Sequence, residues 1–170
     1  MANRRDNNVL APDFYVQDVF GMDLELLTAA GVDTLLVDLD NTLLARNSGE
    51  VTHVARQWVA SAKAAGFRVC LVSNNWHERV SGVARDLDVE LVAKAVKPLP
   101  FAFLIALRKL GSTRRRSATV GDQLFTDVLG GKLLGMKTVM VVPLSSSDLP
   151  HTIVLRKLER IVLAGRNPLP

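Results

Sequence analysis

A chain of 170 residues, 48% hydrophobic and 22% charged, has the composition of an ordinary globular protein and the length of one domain, able to bury roughly 70% of its unfolded surface without staples. It holds no apolar run of the roughly 18 residues that a membrane span requires, and its opening MANRRDNNVL lacks the apolar core of a secretory signal, so the expected location is the cytoplasm. Cys70 is the single cysteine, which excludes an internal disulfide, and its place in FRVCLV predicts a buried thiol.

One domain, 1–170, is expected, with an N-terminal segment over about 1–30 and a core over about 31–165. The first segment contains APDFYVQDVFGMDLELL. Its apolar side chains suit either a helix packed on the edge of the core or an amphipathic face laid on the inner surface of a membrane. Downstream, the apolar runs TLLVDLD, FRVCLVSNN, ATVGDQ and TVMVVP read as buried strands. Segments of helical period separate them at about 50–65, 76–87, 99–110 and 124–134, and VELVAKA allows one more short strand. Strands that are apolar on both faces, joined by helical crossovers, predict an α/β fold: a parallel, Rossmann-like sheet with helices on both sides, in three layers. Gly66, Gly111 and Gly135 stand where helices should stop, and Lys97-Pro98 where one should open.

The net charge of +4 is uneven, with Arg114, Arg115 and Arg116 in succession and further basic residues near the C-terminus. They suit a solvated loop and helix face, or attraction to a phosphate-rich surface. One tyrosine and few other aromatics give no stacking platform for single-stranded nucleic acid, which is not an expected partner.

Ligands of an open parallel sheet bind beyond the carboxyl ends of its strands. There the first core strand ends in Asp38, Leu39, Asp40, Asn41 and Thr42; the second in Ser73, Asn74 and Asn75; a later one in Gly121, Asp122 and Gln123, with Asp127 just inside the next helix. Lys97 lies between, beside Pro98. A single strand-terminal Asp is an ordinary turn or cap residue, and Ser73 could cap the helix expected near Trp76. Several carboxylates on one rim are different, because two of them about 4 Å apart repel by roughly 4 kcal/mol at an effective dielectric near 20. Such a group needs a cation, and oxygen ligands without paired cysteines or histidines point to a hard ion such as Mg²⁺. Of the histidines, His53 and His151 are expected on helices, and only His77 falls close to Ser73.

The ordered set Asp38-Leu39-Asp40-Asn41-Thr42, Ser73, Lys97-Pro98 and Gly121-Asp122-Gln123-Leu124-Phe125-Thr126-Asp127 resembles the four motifs of the haloacid dehalogenase-like phosphatases. LDNTL, SNN and GDQLFTDVLGG narrow the likeness to the capless, YqeG-type members, related to the mitochondrial phosphatidylglycerophosphate phosphatases. The resemblance implies an aspartyl-phosphate mechanism, with Asp38 as nucleophile, Asp40 as acid and base, and Lys97 and Ser73 on the phosphoryl group. It implies Mg²⁺ held by Asp38, Asp40, Asp122 and Asp127. Thr42, Asn41, Asn74 and Asn75 would orient these groups or the substrate.

Ser73 follows Asp38 by 35 residues and Lys97 follows Ser73 by 24, intervals with room for a helix and loops and none for an inserted cap domain. A capless relative has an exposed site, suited to a phosphate carried on a large body, since small metabolites need walls to be selected. The resemblance favours phosphatidylglycerophosphate, with an anionic membrane surface as partner. A protein, nucleotide or other soluble phosphomonoester remains an alternative substrate, and a non-catalytic binding domain an alternative function. The acidic cluster weighs against the latter.

Overall fold

The computed structural model describes residues 10–46, 48, 50–145 and 162–169; His151 and most of the basic C-terminal residues lie outside them. Six strands, β1 (Phe14–Val16), β2 (Thr34–Val37), β3 (Arg68–Val72), β4 (Glu90–Val92), β5 (Ser117–Gly121) and β6 (Lys137–Val141), pair in parallel throughout. Their order is β1-β6-β5-β2-β3-β4. The chain winds outward from β2 to β3 and β4 on one side, and from β5 to β6 on the other, so the switch point lies between β2 and β5.

The helices are α1 (Leu24–Ala29), α2 (His53–Ala64), α3 (Glu78–Asp86), α4 (Pro100–Lys109) and α5 (Leu129–Leu133). Alternation along each strand assigns them to layers. Leu35, Val37, Val69 and Leu71 share a core with Trp58 and Val59 of α2, Val80 and Val83 of α3, and Leu27 of α1. Leu36, Cys70 and Val72 face the other way and pack on Ala102, Phe103, Ala106 and Leu107 of α4. This is the doubly covered parallel sheet that the apolar runs predict. Burial pushes the Cys70 thiol up to about 12, which makes it a core side chain and no nucleophile.

Several boundaries differ from expectation for local reasons. The N-terminal segment is not one helix: Phe14–Val16, aromatic and β-branched, forms an edge strand on β6, and α1 starts only after Asp23, whose Oδ1 accepts from Glu25 N at 2.8 Å. Val16, Val19, Met22 and Leu27 of this segment are buried in the core. α3 starts at Glu78 because Asn75 Oδ1 takes the backbone N–H groups of Trp76 and His77 (2.7 and 3.3 Å) into a turn. α4 begins at Pro100 rather than at Pro98. Leu99 is held extended by the proline that follows it, and Pro100 fills the first helical position, where its missing N–H costs nothing. The helix expected over 124–134 is split into a π-helical turn, Leu124–Val128, and the short α5.

Arg114–Arg116 form a 3-10 turn just before β5. They therefore stand at the amino ends of the strands, away from the rim that gathers Asp38 and Asp122, and Arg116 is paired with Asp33. Among the described residues, no helix is long and apolar enough to cross a membrane.

The edge strand β1 is latched by Asp13. Its Oδ2 accepts from Thr138 N (2.8 Å) and Thr138 Oγ1 (3.0 Å) and lies 2.9 Å from Lys132 Nζ. Burial works to raise its pKa, but Lys132 and the Thr138 donors outweigh it and hold the carboxyl below its ordinary value. A lowered pKa stabilises the fold above the unfolded-state value and loses that contribution as pH falls through the native one. Asp13→Asn should therefore cost about 1–3 kcal/mol in urea denaturation at pH 7, with the difference from the parent protein shrinking toward zero near pH 2.

Candidate active site

β2 and β5 are hydrogen-bonded neighbours in register, Val37 opposite Val120, and Asp38 N continues the ladder by donating to Val120 O at 2.8 Å. Asp38 and Asp122 thus leave adjacent strands at the same level of the switch point, where a parallel sheet opens its ligand crevice. Asp127 reaches the same place from the π-helical turn, in which Val128 N bonds back five residues to Gln123 O at 3.4 Å. Such widened turns recur at functional sites. A Cβ at Gly121 would lie 2.1 Å from Asp127 Cγ, so only glycine lets the Asp127 carboxylate fold back over the end of β5.

The carboxylates of Asp38, Asp122 and Asp127 present oxygen atoms that all lie within 4.8 Å of one another, and all three residues are buried. Lys97, 7% exposed, bridges two of them. Its Nζ lies 2.6 Å from Asp38 Oδ1 and 2.7 Å from Asp127 Oδ1. Asp127 Oδ2 accepts from Thr126 Oγ1 (3.2 Å) and Gln123 N (3.3 Å), and Thr42 Oγ1 donates to Asp38 Oδ2 at 3.5 Å.

One ammonium against three carboxylates leaves surplus negative charge in a buried space. The consequence falls on Asp38: burial, reinforced by Asp127 and Asp122 against the pull of Lys97, pushes its carboxyl up to about 8. Lys97 itself, although burial disfavours its charge, is raised above an ordinary ammonium by Asp127 and Asp38. A proton on Asp38 or a divalent cation among the three carboxylates relieves the same surplus, and an all-oxygen donor set suits a hard cation. The residues present therefore fit such an ion.

The other expected site residues divide. Ser73, 1% exposed, follows the last residue of β3, and its Oγ accepts from Asn75 N at 3.1 Å; it closes the turn and does not cap a helix. The side-chain carbonyls of the asparagines are engaged by loop groups. Asn74 Oδ1 accepts from Lys97 N at 2.7 Å. Asn75 Oδ1 holds the turn before α3, and Asn41, at φ +64°, accepts from Arg46 N (3.1 Å) and Ser145 Oγ (2.6 Å). They set the loops that present the charged groups. Asp40 does not join the three carboxylates; its side chain pairs with Arg79, whose Nη1 also donates to Ser48 O at 2.5 Å. Arg79 went unrecognised in the sequence, where it is one charged residue in an amphipathic helix. Its position just after the SNN turn is the one feature that marks it. His53 starts α2, and His77 precedes α3, stacked on Trp76 at 5.1 Å.

The HAD-hydrolase-like family model matches residues 94–143, the stretch that carries Lys97, Asp122 and Asp127. Over 154 residues the chain is 37% identical to a protein described as probable phosphatase YqeG of Bacillus subtilis, covering 91% of this chain and 90% of that one. It is 28% identical over 170 residues to phosphatidylglycerophosphate phosphatase 1, chloroplastic/mitochondrial, of Arabidopsis thaliana; this covers 94% of the chain and 48% of that relative, about half its length. Among solved structures, an uncharacterized protein from Listeria monocytogenes serotype 4b aligns with TM-score 0.56 at 18% identity, covering 70% of this chain and 85% of that one. The cobalt-bound deoxy-D-mannose-octulosonate 8-phosphate phosphatase of Haemophilus influenzae aligns with TM-score 0.52 at 15% identity, covering 79% and 88%. These two likenesses are of fold. The identity to the Bacillus protein over nearly the whole of both chains reaches further: the chain belongs to the haloacid dehalogenase-like hydrolases, as a phosphomonoester hydrolase of the YqeG family.

Proposed function

We propose that the protein is a Mg²⁺-dependent phosphatase that works through an aspartyl-phosphate and takes phosphatidylglycerophosphate to phosphatidylglycerol and phosphate. The observation that carries the catalytic part is Asp38 at the switch point, held at 2.6 Å by Lys97 and faced by two further buried carboxylates. Asp38 Oδ attacks phosphorus in line, and the ester P–O bond breaks as the acyl-phosphate bond forms. Asp40 gives its proton to the departing alkoxide. Water, giving up a proton to Asp40, then attacks the same phosphorus, and release of inorganic phosphate regenerates Asp38. Arg79 is a positioning residue that aims the Asp40 carboxyl.

Lys97 holds Asp38 and neutralises phosphoryl charge, and Ser73 and Thr42 hydrogen-bond around the same centre. Asp38, Asp122 and Asp127 would hold the Mg²⁺ through their carboxylates, with Asp40 contributing its backbone carbonyl. When bound, the ion lets an anionic carboxylate meet an anionic phosphate.

Two things support the lipid part. One is the similarity to the Arabidopsis phosphatidylglycerophosphate phosphatase. The other is an open site: among the described residues, only α2 intervenes between β2 and β3, and only α3, β4 and α4 with a 3-10 turn between β3 and β5. Nothing there walls the crevice.

Phosphate release from phosphatidylglycerophosphate in mixed micelles, beside soluble phosphomonoesters and with or without Mg²⁺, tests both parts. Mg²⁺-dependent release favouring the lipid is expected. Release from soluble esters alone would remove the lipid, and release by Asp38→Asn would remove the nucleophile. Asp40→Asn should slow turnover by about 10²- to 10⁴-fold while calorimetric Mg²⁺ affinity is largely kept. Gly121→Ala should do the reverse of sparing the ion: with Asp127 pushed aside, Mg²⁺ affinity falls about tenfold or more, roughly 1.4 kcal/mol, and an unchanged titration would take Asp127 out of the ligand set.

A further inference from the structure

The loop from β4 to α4 leaves apolar side chains in water around the very residue it buries. Among the described residues, five of the eleven exposed large hydrophobics fall between 96 and 105: Val96, Leu99, Phe101, Leu104 and Ile105. Trp76, 63% exposed, joins them, since Lys94 Nζ sits 5.0 Å over its ring. The exposed residues are Trp76 in the turn after Ser73, Lys94 and Val96 in the loop just before the crevice lysine, and positions 101, 104 and 105 of α4, one turn apart.

Val96 shows that this exposure is not incidental. Its φ is +51°, a left-handed conformation that a β-branched residue adopts only under strain. Glycine or asparagine would relieve it, and a valine buried in the core could repay it by packing. Val96 is 62% exposed, so neither account applies. Three bonds hold it outward: Ala95 N to Ser73 O (3.0 Å), Lys94 N to Asn75 O (3.3 Å) and Lys97 N to Asn74 Oδ1 (2.7 Å). The loop that sends Lys97 inward sends Val96 out.

Charge names the partner. Lys94 and Arg108 border the apolar stretch, both exposed, and no acidic residue occurs from 91 to 121. Apolar and aromatic side chains edged by cations match the boundary between the headgroups and acyl chains of an anionic bilayer.

We propose that Trp76, Val96, Leu99 and Phe101, continued by Leu104 and Ile105, dock the enzyme on an anionic lipid surface with its crevice turned toward the headgroups. The proposal rests on the reading of a lipid-borne substrate and moves the membrane contact from the N-terminal segment, whose apolar residues are largely spent in the core, to the loop and helix beside Lys97.

The test is co-sedimentation of the whole protein with vesicles of phosphatidylcholine containing phosphatidylglycerol, alongside tryptophan emission and turnover of p-nitrophenyl phosphate. The parent protein should bind, more weakly as salt rises, and its emission should shift to the blue through Trp76, because Trp58 is already buried. Phe101→Gln with Ile105→Gln should weaken binding about tenfold or more with turnover of the soluble ester unchanged. Lys94→Glu, a milder surface change, should weaken it as well and flatten the salt dependence. No binding by the parent protein, equal binding by all variants, or light scattering that shows this face buried between two copies would overturn the proposal. Turnover of phosphatidylglycerophosphate in detergent micelles reports on the substrate alone: turnover there without vesicle binding ends the docking surface and keeps the substrate, whereas vesicle binding without that turnover supports the surface and ends the substrate.

Discussion

A buried ammonium is expensive unless carboxylates surround it, and the bridge from Lys97 to Asp38 and Asp127 is the contact around which the rest of the carboxyl rim is arranged. To deliver it, the chain leaves β4, is tied three times to the turn after β3, and starts α4 only at Pro100. To receive it, β5 ends in a glycine and the following helix opens in a π-helical turn. The asparagines that follow Ser73 belong to this delivery. Their oxygens hold loop backbone, and the loops hold the lysine.

The same bridge sets the electrostatic state of the crevice. Lys97 offsets one of three carboxylates and leaves the others in competition, which is why Asp38 is pushed up to about 8. A site with this surplus is not at rest as a fully ionised cluster. It draws a proton or a cation. Asp40 stands apart from that competition because Arg79 engages it. Two aspartates two residues apart thus sit in different environments, one among carboxylates and one against a guanidinium.

Much of this was legible in the sequence because buried parallel strands announce themselves as apolar runs, and because the residues that end them are chemically conspicuous. Asp38 and Asp122 could be placed on one rim from strand endings, whereas Lys97 is placed there by its position beside Pro98 and by the family motif. Other features had no such signal. Phe14–Val16 is only three residues long, and its strand state comes from pairing with β6 and from the Asp13 latch, contacts across 125 positions of sequence. The split of the helix over 124–134 depends on Asp127 turning toward Lys97, a tertiary demand that overrides helical periodicity. Arg79 is an ordinary helix arginine until the fold brings it to Asp40. The arginine run at 114–116 was conspicuous in composition but lies at the far ends of the strands, where its neighbour is Asp33 and not the crevice.

The position of the switch point carries one more consequence. The order β1-β6-β5-β2-β3-β4 means that a single seam, β2 against β5, joins the two halves of the sheet, and the acidic residues lie on both sides of it. Asp38 belongs to one half and Asp122 and Asp127 to the other, 84 residues apart in sequence for the first pair, while Lys97 crosses over from the β4 side to clasp both. No half of the molecule folded alone would possess a crevice. Competence for chemistry therefore requires the long-range β2–β5 pairing, and any ligand that gathers these residues holds the two halves of the sheet together.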